Sequence, residues 1–183
     1  MRHTPANTLQ RGLTLIELLV TMSIAVILLT IGVPSFVDMI TSNTATSYAN
    51  DLLGDINYAR SEAITRGCRV VVCKGTATAV GSDCTIGNWE DGWKVFESCD
   101  NDQTVAAVSE VLRVHAALST GWTLTGNGNV PNYLEFRPTG LSATFNNLGT
   151  GTFTLCKDAQ VQTGNAVTVN KTGRARVDDG GCP

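Results

Sequence analysis

Residues 12–29, GLTLIELLVTMSIAVILL, decide how the rest of this chain is read. From Leu13 to Val33 the sequence is apolar apart from Glu17 and scattered Thr, Ser and Gly. As a helix rising about 1.5 Å per residue, that run is roughly 31 Å long, the thickness of a bilayer core. A short polar segment, MRHTPANTLQRG, precedes it and carries Arg2 and Arg11. Basic residues ahead of the span predict a cytoplasmic N-terminus and an exported remainder. Two features separate the segment from an ordinary signal peptide. Its apolar run continues into a patterned helix instead of ending at a small-residue cleavage site. Glu17 also lies inside the run, where an unpaired carboxylate is costly and calls for a partner.

Beyond Pro34 the helical pattern resumes. Tyr48, Leu52, Ile56, Ala59 and Ala63 recur at spacings of three and four and form one stripe, with Asp51, Asp55, Arg60 and Glu62 mostly off it. Gly67 is a suitable stop. One long helix is expected, with residues 13–33 in a membrane or filament core and 34–67 as an amphipathic continuation. From Cys68 the texture changes. CRVVVC, WKVFES, EVLRVHAAL, YLEFRP, FTLC, AVTVN and ARV are short β-branched or aromatic runs divided by Gly, Asn, Asp and Pro. They predict a β-rich domain over 68–183, antiparallel and of about seven strands, so the fold class is α+β. The longest loops are expected at 75–92 and 119–132. Trp89, Trp93 and Phe96 fit a core better than an exposed platform for stacking bases.

The chain has 183 residues, enough for one domain and an accessory segment. Its net charge of −3 leaves any anion-binding surface to be a local one. Six cysteines (68, 73, 84, 99, 156 and 182) all lie in the polar part, which favours disulfides and an oxidising compartment. With no CxxC pair and only His115 in that region, zinc is not expected. Six cysteines allow 15 connectivities. If CRVVVC pairs antiparallel with WKVFESC so that Cys73 faces Lys94, then Cys68 faces Cys99. Cys73–Cys84 would close the intervening loop, and Cys156–Cys182 would tie down the C-terminal tail. No catalytic residues and no cofactor are expected. His115 has no triad or dyad context, and GSDC and GNGN are turns rather than phosphate-binding loops.

RG-LTLIELLV resembles the class III leader of type IV pilins and type II secretion pseudopilins. NWEDGWKVFESCD with EVLRV, and NYARSEAITRGCRVVVC before them, resemble the GspH/FimT-type minor pilins and pseudopilins. The resemblance implies that residues 1–12 are a leader which a prepilin peptidase removes after Gly12, methylating Leu13; most relatives have Phe there. It implies that Glu17 pairs with the terminal amine of a neighbouring pilin subunit, and that Pro34 is where the helix loosens inside a filament. It also implies single-pass insertion in the inner membrane, then assembly into an extracellular or periplasmic filament.

KTGRARV, near the C-terminus, is the one segment with specific chemistry in view. It follows AVTVN, so NKTG reads as a hairpin turn and GRARV as the returning strand. Arg174 and Arg176 would then share a face, about 6.5–7 Å apart, and suit neighbouring phosphates, with Lys171 adding a third positive charge. Such a grip is blind to base sequence. Gly173, Arg174 and Arg176 match the GRxR motif of FimT-type members, which are linked to double-stranded DNA binding in natural transformation. Asp178 and Asp179 follow and oppose the positive field. The other reading of the hairpin is a solvated turn on a structural minor pilin or pseudopilin.

Overall fold

The computed structural model describes residues 12, 14–76, 78, 81–99, 110–144, 150–157 and 164–182. Residues 1–11, within the expected leader, and Leu13 lie outside them. The chain divides into two units, Met1–Thr41 and Ser42–Pro183. A single helix, α1 (Leu15–Arg66), contributes to both.

In the first unit α1 is long and apolar enough to cross a membrane, and its large side chains from Leu15 to Ile40 are exposed. Thr14 caps its start. The Thr14 Oγ1 accepts the Glu17 N–H at 3.3 Å, which places Glu17 at the third helical position. A carboxylate there also suits the positive end of the helix dipole. The helix passes through Pro34 without interruption.

In the second unit the expected stripe is the buried face of α1. Leu52, Ile56, Ala59 and Ala63 are fully covered, with Ala45, Ala49 and Asp55 beside them and Tyr48 half-buried. Gly67, at φ +68°, ends the helix, its N–H donating to the Ala63 carbonyl.

Among the described residues nine strands follow, where about seven were expected, and they form two antiparallel sheets. The first has the order β3-β2-β1-β5-β6, from β1 (Arg69–Lys74), β2 (Trp93–Ser98), β3 (Val111–His115), β5 (Tyr133–Phe136) and β6 (Ser142–Thr144). The second has the order β4-β7-β8-β9, from β4 (Trp122–Gly126), β7 (Gly151–Lys157), β8 (Gly164–Val169) and β9 (Ala175–Gly180). The expected loop at 119–132 therefore contains β4, and the one at 75–92 contains a 3-10 turn, Trp89–Asp91.

Both sheets share one core with α1. Leu52 and Ile56 belong to one buried cluster with Val70, Val72, Trp93, Val95, Leu134 and Phe136 of the first sheet and Leu124, Phe153, Leu155, Val167 and Val169 of the second. Full burial of each large side chain is worth about 1.5–3 kcal/mol. Trp89 and Trp93 are core residues, and Phe96 belongs to a smaller cluster with Val71, Cys73 and Cys84 on the other face of the first sheet. None of the three is a platform for bases.

Cys73 faces Lys94 across β1 and β2, the register read from the sequence. Disulfides join Cys68 to Cys99, Cys73 to Cys84 and Cys156 to Cys182, with Cα separations of 5.0, 5.2 and 5.8 Å.

Candidate nucleic-acid interface

The turn joining β8 to β9 is built on Asn170. The Asn170 N–H donates to the Arg174 carbonyl at 3.0 Å, and its carbonyl accepts the Gly173 N–H at 2.9 Å. Its side-chain Oδ1 accepts the Arg174 N–H at 2.9 Å and the Thr172 hydroxyl at 2.7 Å. With four bonds converging on one residue, the tip has little freedom. Gly173 completes the turn at φ +77°, a conformation that L side chains rarely adopt.

The turn is fixed to the rest of the domain as well. The Ser142 N–H donates to the Lys171 carbonyl at 3.3 Å and its hydroxyl to the Asn170 carbonyl at 2.8 Å, which ties the hairpin to β6 of the other sheet. Gly173 is buried against the Gly140 carbonyl and the stem of Arg60. The Arg60 Nε in turn donates to that same Gly140 carbonyl at 3.0 Å. Arg60 thus joins α1 to the place where the two hairpins meet. A glycine at 173 is required sterically, whatever the arginines beside it do.

Lys171, Arg174 and Arg176 are all exposed. The strand begins at Ala175, so Arg174 stands in the turn ahead of it rather than on the strand as expected. The Asn170 side chain captures the Arg174 N–H and keeps it out of the ladder. Arg174 and Arg176 still line one cleft, of about 190 Å³, with Thr168, Asn170 and Ala175. Arg176 faces Thr168 in the β8 register, while Ala175 and Val177 turn to the core. The Arg176 Nε donates to Asp178 Oδ2 at 2.7 Å, and this bond lowers the Asp178 carboxyl below its ordinary range. Of the two acidic residues flagged by the sequence, Asp178 is bonded directly to one of the arginines, Arg176.

Elsewhere the chemistry is structural. Asp55 is buried and accepts from Trp93 Nε1 at 2.9 Å and from Arg113 Nη1 at 2.8 Å, a role its place beside the helical stripe did not announce. His115 stacks on Trp93 at 3.8 Å, with Nδ1 2.8 Å from the Ala116 carbonyl and Nε2 3.6 Å from Asp51. Its one hydrogen bond among the described residues is that of Nδ1 with the Ala116 carbonyl. Cys68 and Cys99 lie beside Glu97 but are joined to each other, and Glu97 pairs with Arg66. They offer a metal no thiolate.

Two family descriptions match the sequence. Residues 7–33 match the prokaryotic N-terminal methylation motif, a range that takes in Gly12, Leu13 and Glu17. Residues 48–173 match the type II transport protein GspH, a range that includes Gly173 and stops short of Arg174 and Arg176. Among curated proteins nothing matches. Among solved structures, the type IV minor pilin FimU of Pseudomonas aeruginosa is similar at 20% identity and a TM-score of 0.58, over 76% of this chain and 92% of FimU. The minor pseudopilin EpsH of the Vibrio cholerae type 2 secretion system is similar at 14% identity and a TM-score of 0.51, over 74% of this chain and 96% of EpsH. These two likenesses establish the fold, and the match across most of the chain establishes the lineage: this protein belongs to the GspH family of type IV pilin-like proteins.

Proposed function

We propose that this chain is a FimT-type minor pilin that captures extracellular double-stranded DNA for uptake in natural transformation. The observation that carries the reading is the mounted hairpin, with Arg174 and Arg176 lining one cleft, Lys171 exposed at the turn beside it, and the turn fixed by Asn170 and Ser142. Gly173 allows the tight turn, and the guanidinium groups take phosphate oxygens without reading bases. Two or three neutralised phosphates give a slope of log K on log salt of roughly −2 to −3 and affinity near the non-specific range of about 10⁻⁴ to 10⁻⁶ M. Several copies along a filament would raise avidity without new contacts. In a gel-shift assay on the full chain in detergent micelles, Arg174→Gln with Arg176→Gln should abolish binding and leave the circular dichroism spectrum unchanged. Retained binding by the folded double variant would remove the hairpin from the interface.

A second reading is a structural minor pilin, or a type II secretion pseudopilin, that primes filament assembly without binding DNA. The Arg176–Asp178 bond favours it, since an arginine held by a carboxylate on its own strand is partly neutralised. On either reading we propose that a prepilin peptidase cuts after Gly12 and methylates Leu13, and that Glu17 pairs with the amine of the next subunit. We also propose that the helix loosens at Pro34 once it leaves the inner membrane for the filament. Mass spectrometry of protein from a peptidase-competent host should show a chain beginning at methylated Leu13. An uncut Met1 form would sink that proposal.

A further inference from the structure

The two hairpins that meet at Gly140 and Gly173 have the same construction. In the β5–β6 hairpin, RPTGL, the Arg137 N–H donates to the Leu141 carbonyl at 3.0 Å and the Gly140 N–H to the Arg137 carbonyl at 2.8 Å. In the β8–β9 hairpin, NKTGR, the Asn170 N–H donates to the Arg174 carbonyl and the Gly173 N–H to the Asn170 carbonyl, at 3.0 and 2.9 Å. The glycines have matching φ angles, +76° and +77°. Each turn thus aligns residue for residue with the other: Arg137 with Asn170, Pro138 with Lys171, Thr139 with Thr172, Gly140 with Gly173, Leu141 with Arg174.

The twin turns belong to different sheets but are joined. Ser142 donates to both the Asn170 and Lys171 carbonyls, and the Gly140 carbonyl lies against Gly173 with Arg60 closing the contact. A turn of this kind keeps its first and fourth Cα atoms within about 7 Å. The backbone of Arg137 is therefore held a single turn away from the point where Gly173 packs. Arg137 is exposed, and among the described residues its guanidinium forms no ion pair. Lys171 and Arg174 are in the same condition.

We propose that the DNA-binding surface continues from the C-terminal hairpin onto this second turn, with Arg137 as a further contact to the phosphate backbone. The proposal rests on the reading of the hairpin as a DNA site. Its physical content is spacing. The first turn carries one exposed cation, Arg137, and the second two, Lys171 and Arg174, and the turns are joined through Ser142 and the Gly140–Gly173 contact. Such a ledge suits consecutive phosphates of a duplex better than an isolated anion. Arg176, engaged with Asp178, lies at its far end.

The test uses the full chain in detergent micelles and a short mixed-sequence duplex, with anisotropy measured across a salt series. Arg137→Gln should weaken binding about three- to ten-fold and make the log–log salt slope shallower by about 0.9, the loss of one phosphate contact. Arg137→Lys should keep the slope. Independently of any variant, duplex DNA should protect Arg137 of the parent from an arginine-selective dicarbonyl reagent, as read by peptide mapping. Unchanged affinity and slope in Arg137→Gln, or full reactivity of Arg137 in the complex, overturns the proposal. If the Arg174→Gln and Arg176→Gln variant has lost binding in that same series, the hairpin reading survives it. A parent that binds no DNA at any salt concentration overturns both.

Discussion

Arg176 and Asp178 project from the same face of β9, and the guanidinium Nε donates to the carboxylate at 2.7 Å. The pair is largely exposed, so the bond is easily exchanged for another partner. On the proposed function, a phosphate arriving at the cleft would compete with Asp178 for Arg176. Asp178→Asn removes the competitor and one repelling charge, and should tighten DNA binding about two- to five-fold. Titration of the variant beside the parent at one salt concentration checks this. Equal affinities would mean that Arg176 does not meet the DNA.

Gly173→Ala should loosen the hairpin. An alanine there takes an unfavourable positive φ and drives its Cβ into the Gly140 carbonyl and Arg60 Nε. A cost of about 1–3 kcal/mol is expected, read as a lower denaturation midpoint. DNA binding should weaken with it although both arginines remain.

Glu135 gives the stability a recognisable pH dependence. It lies on the face of the first sheet opposite the main core, register-matched to Val71 and Ala143, and is buried. Arg69 Nη1 is 2.9 Å from its Oε1, but the pair lacks hydrogen-bond alignment. Burial raises the carboxyl above its ordinary range, and Arg69 and Arg137 offset this only in part. The folded chain therefore holds a proton that the unfolded chain has released. The contribution to stability is full below the unfolded value of about 4.3 and is lost as pH rises through the folded value. Glu135→Gln should flatten this part of the pH–stability curve, measured by urea denaturation from mildly acidic to neutral pH.

Removing the last disulfide should be costly. Replacing Cys156 and Cys182 together with alanine opens a loop with a sequence separation of 26 and should lower stability by about 3 kcal/mol. Equal denaturation midpoints for parent and variant under oxidising conditions would contradict this.

What the sequence revealed was mostly local. The stripe Leu52, Ile56, Ala59, Ala63 follows from helical period alone, and the Cys68–Cys99 pairing follows once β1 and β2 are set with Cys73 facing Lys94. Asp55 was illegible because its partners Trp93 and Arg113 lie 38 and 58 residues away. The division into two sheets escaped for the same reason, since β4 pairs with β7 across the whole β5–β6 hairpin. Strand β6 is three residues long, too short for alternation to show. In β4 the pattern Trp122-Thr123-Leu124-Thr125 was visible, but its glycine flanks read as loop. The arginine pair was legible as chemistry and not as geometry. That Arg174 lies outside the strand depends on a bond from the Asn170 side chain, and the twin turn depends on knowing both hairpins' hydrogen bonds.

The C-terminal disulfide has a mechanical side. Strand β9 is the free edge of its sheet, the position from which a pulled β-structure peels one hydrogen bond at a time. Cys182, just beyond β9, is bonded to Cys156 two strands away in β7, and the link passes over Gly164, where a side chain would strike the Cys182 sulfur. Tension on the tip at Lys171–Arg174 therefore meets a closed covalent loop holding both neighbours of β8. Outside that sheet the hairpin is tied to β6 through Ser142 and to α1 through Gly140 and Arg60. Load on the hairpin is thus shared between a covalent loop in its own sheet and hydrogen bonds to β6 and α1, which resists peeling of the edge strand.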